Sequence, residues 1–145
     1  MKNAIVLKGV RHTGKTTSVG LAYEELKAQY RDWVVVEELD GPAKRDFAVI
    51  GEIKGKRIGI CSQGDDGEFV REFIKLFIEK KCGVILCVTR TRGQTRDAVI
   101  MTLGPDYQVT WVTKEAAKNE GERDKENHQT SADLFAKLQR AIADQ

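Results

Sequence analysis

Between positions 9 and 16 the chain reads Gly9-Val10-Arg11-His12-Thr13-Gly14-Lys15-Thr16, a full match to the pattern G-x-x-x-x-G-K-[ST]. Each residue type has a physical task there. Gly9 and Gly14 permit backbone torsions that a side chain forbids, so that successive main-chain N–H groups can turn inward. Together with the start of a following helix, those amides make a positive cradle suited to phosphate. His12 and Thr13 lie inside that loop, with His12 expected at its surface. Lys15 adds a full positive charge directed at the outer phosphates, and Thr16 offers a hydroxyl to Mg²⁺. Thr17 is expected to donate to an inner phosphate. Gly9, His12, Thr13, Gly14, Lys15, Thr16 and Thr17 are thus the expected nucleotide-contacting residues.

The pattern requires a strand before it and a helix after it, and the flanking sequence predicts both. Ala4-Ile5-Val6-Leu7 is a short apolar run of the kind found in buried parallel strands. From Lys15 to Tyr30 the apolar residues Val19, Ala22, Tyr23, Leu26 and Tyr30 recur at helical spacing. Further on, strands are predicted at Trp33–Val36, Phe47–Ile53, Lys56–Cys61, Gly83–Val88 and Gln108–Val112. The second and third of these are joined through Lys54-Gly55 as a hairpin. Helices are predicted around Phe69–Phe77, after a cap at Thr95 as far as Leu103, and after a cap at Ser131. The alternation argues for a three-layer α/β fold, mostly parallel, with one antiparallel hairpin strand, spanning residues 1–145 as one domain. Residues 114–130 show no periodicity and are expected to form a mobile, solvated loop. Trp33 and Trp111 are expected in the core at strand ends. In open α/β sheets ligands gather at the carboxyl ends of strands. Arg90 and Arg92, with Arg96 nearby, follow an apolar strand and suit an acceptor's phosphate or a transferring phosphoryl group. The alternative is a surface loop paired with Asp97 or Asp106.

The first thirty residues resemble those of P-loop NTPases, and the α/β alternation extends the similarity over most of the chain. That resemblance implies a P-loop NTPase fold, nucleotide binding and Mg²⁺. It also implies a metal-side carboxylate at the end of a neighbouring strand. Here the strand ending at Cys61 is followed by Ser62-Gln63-Gly64-Asp65-Asp66-Gly67, with no acid at the strand end. Asp65 is the expected metal-side acid, with Ser62 and Gln63 near the γ-phosphate and Gln63 placed to orient a water. The competing reading makes the aspartates caps of the helix near Glu68. Glu37 and Glu38, after Val34-Val35-Val36, are the rival carboxylates, because P-loop kinases of small molecules often carry an acid there facing the acceptor. The Asn-Lys-x-Asp signature of guanine recognition is absent, which favours ATP over GTP.

The formal charge of +2 is too small to argue for nucleic acid as a partner, and 41% apolar with 32% charged residues fits an ordinary folded domain. No run approaches a membrane span, and the N-terminal apolar stretch is too short for a signal peptide, so a cytoplasmic protein is expected. Cys61, Cys82 and Cys87 form no Cys-x-x-Cys pair and are expected to be reduced and structural. The expected activity is phosphoryl transfer to a small acceptor or ATP hydrolysis. The alternative is a nucleotide-dependent switch with little turnover, in which strand Phe47–Ile53 serves as an edge that pairs with a protein partner.

Overall fold

In the computed structural model the described residues are 2–9, 14–40, 46–63, 67–90, 94–115 and 119–145. The elements are β1 Lys2–Lys8, α1 Lys15–Gln29, β2 Val34–Asp40, β3 Phe47–Ile53 and β4 Lys56–Cys61. They continue with α2 Gly67–Glu79, β5 Val84–Thr89, α3 Gln94–Leu103, β6 Tyr107–Thr113 and α4 Glu120–Ala143. The six strands form one mixed sheet in the order β2-β3-β4-β5-β1-β6. β4, β5, β1 and β6 run parallel, and only β3 is antiparallel to its neighbours β2 and β4. The β3–β4 hairpin closes through Lys54 and Gly55, both at positive φ (52° and 79°), as a two-residue turn matched to strand twist requires.

Helices cover both faces of the sheet. β1 is buried on both sides, as expected of a strand flanked by parallel neighbours. Its Ile5 and Leu7 join Val19, Ala22 and Leu26 of α1 and Leu134 and Leu138 of α4 in one apolar cluster. Its Ala4 and Val6 face the other way, towards Val70, Ile74 and Phe77 of α2 and Val99 and Leu103 of α3. Gly59 of β4 allows α2 to approach closely, since a Cβ there would come 2.6 Å from the Phe77 ring. Among the described residues no helix is long and apolar enough to cross a membrane.

Several expectations are corrected. Residues 114–130 are not one loop, because α4 begins at Glu120, with the Asn119 side chain accepting from the Glu122 amide at 2.9 Å as its cap. Its buried stripe continues upward from Leu138 and Leu134 through Ser131 and Asn127. Those two polar residues hid the helical period, and Ser131 lies inside the helix instead of capping it. Thr95 falls within α3 for the same reason of an earlier start. β2 runs on to Asp40, so Glu37 and Glu38 lie within the strand and do not follow it. β3 sits between β2 and β4, which leaves β2 and β6 as the sheet's edges and removes β3 as an edge for a partner. Trp111 lies inside β6, half-buried, and Trp33 precedes β2.

Candidate functional site

The carboxyl ends of β1, β4, β5 and β6 lie along one edge of the sheet, and the antiparallel β3 begins there. The chain leaves β1 through α1 on one face, whereas it leaves β5 through α3 on the other, which makes the β1/β5 boundary a topological switch point. Gly9, just past β1, is buried, and its amide donates to the Thr89 carbonyl of β5 at 3.2 Å. Gly14 caps α1 with a left-handed backbone (φ 88°, ψ 23°), without a side-chain cap and with no acidic residue in the first turn of the helix. The first-turn amides of α1 therefore face no carboxylate of their own turn, and a helix N-terminus of this kind attracts anions.

Lys15, the first residue of α1, is buried, and its ammonium folds back to donate to the Gly9 carbonyl at 2.7 Å. That bond joins residues on the two sides of the segment 10–13. Thr16 is half-buried, and its hydroxyl donates to the Ser62 carbonyl at 3.4 Å. Thr17 is exposed. His12 and Thr13 lie outside the described residues, as do Asp65 and Arg92.

At the end of β4 the Ser62 hydroxyl is committed to the sheet. It accepts from the Phe47 amide at 2.8 Å and donates to the Phe47 carbonyl at 3.3 Å. The part of Ser62 that reaches the loop is its carbonyl. Gln63 is buried, and its amide nitrogen donates to Asp46 at 3.2 Å. Asp46 is half-buried at the start of β3 and was missed by sequence reasoning. Its signal was available, because the first residues of an antiparallel hairpin strand must lie at the edge where the parallel strands end. Asp46 and Glu38 also line a cavity of about 340 Å³ with Gly20, Tyr23, Glu24 and Phe47, in which the Tyr23 and Phe47 rings stack at 5.5 Å. Glu38 is exposed and Glu37 half-buried.

Arg90 follows β5 at the same edge and is half-buried. Arg96 lies instead along α3, with its guanidinium 5.6 Å from the centre of the Trp111 ring. The structure also brings two residues of the segment 114–130 near this site, one against the start of α1 and one against the end of β1. Asn127 of α4 is buried and accepts from the Ser18 hydroxyl at 3.4 Å, and a Cβ on Gly14 would collide with its Oδ1. Lys114, just after β6, is buried, and its amide donates to the Lys8 carbonyl at 2.7 Å. Burial pushes the Lys114 pKa down, against the pull of Glu126.

All three cysteines are buried free thiols; the Cys61 thiol, at the end of β4, donates to the Gln63 carbonyl at 3.5 Å, and burial pushes Cys61 and Cys82 up to about 12. Among the described residues no three His, Cys, Asp or Glu side chains converge as a metal cluster. The donors that do converge are an ammonium, a threonine hydroxyl and helix-start amides, a set that suits a polyanion carrying its own metal, since Mg²⁺ bound with phosphates needs only one or two protein ligands. Comparison of the chain with protein-family models, with curated proteins and with solved structures gives no match.

Proposed function

We propose that this chain is a P-loop NTPase-like protein that binds a nucleoside triphosphate, ATP in preference to GTP, together with Mg²⁺ through residues 9–17. The observation that carries the reading is the Lys15 ammonium. It reaches across from the first turn of α1 to the Gly9 carbonyl at 2.7 Å, at the mouth of a loop whose sequence is G-x-x-x-x-G-K-T. A polyphosphate entering that mouth takes over the ammonium and meets the helix-start amides. The Thr16 hydroxyl is the ligand on the protein side for Mg²⁺, which when bound neutralises charge on the β- and γ-oxygens.

The second, acidic half of the site consists of Asp65, with Asp46 added as a carboxylate already held at this edge by Gln63. Gln63 positions a water or an acceptor, and Arg90 and Arg92 bring charge to the transferring group. The reaction is phosphoryl transfer to a small acceptor or hydrolysis. The cavity beside Asp46, with its stacked Tyr23 and Phe47 rings, is the place for such an acceptor.

One observation favours the second reading, a nucleotide-dependent switch with little turnover. The end of β4 presents Ser62, whose hydroxyl is already committed to Phe47, where an efficient phosphoryl-transfer site would present an acid.

A turnover assay separates these outcomes. ADP released only with a small acceptor identifies a kinase, ADP released without one identifies an NTPase, and saturable binding with negligible ADP identifies a switch. Nucleotide binding as tight in Lys15→Ala as in the unaltered chain overturns the assignment of the site, whichever of the three outcomes holds.

A further inference from the structure

The phosphate loop has two flanks, and they differ in chemistry. On one side, across β5, lies β4, where the Thr16 hydroxyl meets the Ser62 carbonyl. That is the metal and γ-phosphate side under the proposed function, on which this inference rests. A triphosphate whose outer end points there must send its nucleoside the other way, towards β6 and α4.

That opposite flank contains an incompletely paired buried charge. The Lys114 side chain is 2% exposed, yet its ammonium meets Glu126 Oε2 only across 3.8 Å, longer than a hydrogen bond. Glu126 Oε2 is itself buried and has no hydrogen-bond partner among the described residues. Burying a charge without close partners is costly, so such a pair stands in need of atoms between or beside its members. The pair is anchored to the loop at both ends. The Lys114 amide holds the Lys8 carbonyl immediately before Gly9, and Asn127, next to Glu126, presses on Gly14.

We propose that Lys114 and Glu126 read the hydrogen-bonding edge of the nucleobase. Base edges present acceptors and N–H donors side by side. The ammonium donates to a ring nitrogen or carbonyl of the base, and the carboxylate accepts from the adjacent N–H. Every base carries such a pair, but purines present it farther from the ribose than pyrimidines, so a base of the wrong size fails to reach both groups and leaves the buried ammonium with only its 3.8 Å contact to Glu126.

The test is calorimetric titration, with Mg²⁺, of the unaltered chain, Lys114→Met and Glu126→Gln. The titrants are ATP, GTP, CTP, UTP and inorganic tripolyphosphate. The expected result is that at least one nucleotide binds the unaltered chain tenfold or more tighter than tripolyphosphate and than another nucleotide. Both ratios should shrink to within about threefold in each variant. Glu126→Gln keeps the side chain's size and a donor-acceptor terminus, so it guards against loss of folding in Lys114→Met. Equal binding of all five titrants by the unaltered chain, or ratios that survive both substitutions, overturns the base-reading role and leaves the phosphate site standing. Absence of binding by all five titrants overturns both.

Discussion

Replacing Gly14 by alanine perturbs the site at the point where backbone torsion and packing are both constrained. Gly14 has φ 88°, and an L-residue in the left-handed region costs about 1–2 kcal/mol. The new methyl group would also collide with Asn127 Oδ1 of α4, and overpacking of this kind costs about 1–3 kcal/mol. Gly14→Ala should therefore lose about 2–5 kcal/mol of stability in total. Asn127→Ala alone gives up a long hydrogen bond from Ser18, worth on the order of 1 kcal/mol. In the double variant the collision partner is gone and only the torsional cost of Gly14→Ala remains. The two substitutions should thus couple favourably by about 1–3 kcal/mol, as neighbours sharing a contact do. Urea unfolding of the four proteins, followed by circular dichroism, measures this cycle. Additivity within about 0.5 kcal/mol would refute the argument, because it would mean that α4 does not press on the loop.

Three further outcomes follow from the geometry. Phe77→Ala should destabilise by about 3–5 kcal/mol in the same unfolding assay, because the ring is fully buried against Gly59. The Cys61 thiol has a folded pKa of about 12 against an ordinary 9.0, so the folded state keeps its proton longer than the unfolded chain. Its contribution is complete below pH 9 and is lost as pH rises towards 12, at up to about 1.4 kcal/mol per pH unit. The urea midpoint should fall between pH 8 and pH 10, and Cys61→Ala should lessen that fall, leaving the share that comes from the other raised thiols. An equally steep fall in the variant would show that Cys61 is not responsible. Asp46→Asn should lower Mg²⁺-dependent ADP formation by tenfold or more while leaving the unfolding midpoint within about 1 kcal/mol of its original value. An unchanged rate would remove Asp46 from the acidic half of the site.

Much of the architecture was legible because apolar periodicity and the type of burial coincide. β1 and β5 read as continuous apolar runs because they are covered on both faces, and α2 read as a helix because Val70, Phe73, Ile74 and Phe77 recur on one side. The upper half of α4 was illegible for a physical reason. It packs beside the start of α1, at Gly14 and Ser18, and not against the apolar core, so its buried positions are Asn127 and Ser131. Lys114 and Glu126 were hidden differently. Each gains its place from sheet order or helix packing, which no local spacing records. The position of β3 inside the sheet was equally a matter of order, since a hairpin alone does not say which of its strands will be covered by β2.

The most direct measurement is calorimetric titration of Mg-ATP into the unaltered chain and into Lys15→Ala at equal protein concentration. A saturable heat near one nucleotide per chain is the predicted result. Its affinity should drop roughly 10- to 150-fold in the variant, the equivalent of the 1.5–3 kcal/mol carried by a hydrogen bond to a charged group. Equal affinities in the two proteins, or no heat from the unaltered chain with ATP, GTP, CTP or UTP, would contradict the assignment of residues 9–17 as a polyphosphate site.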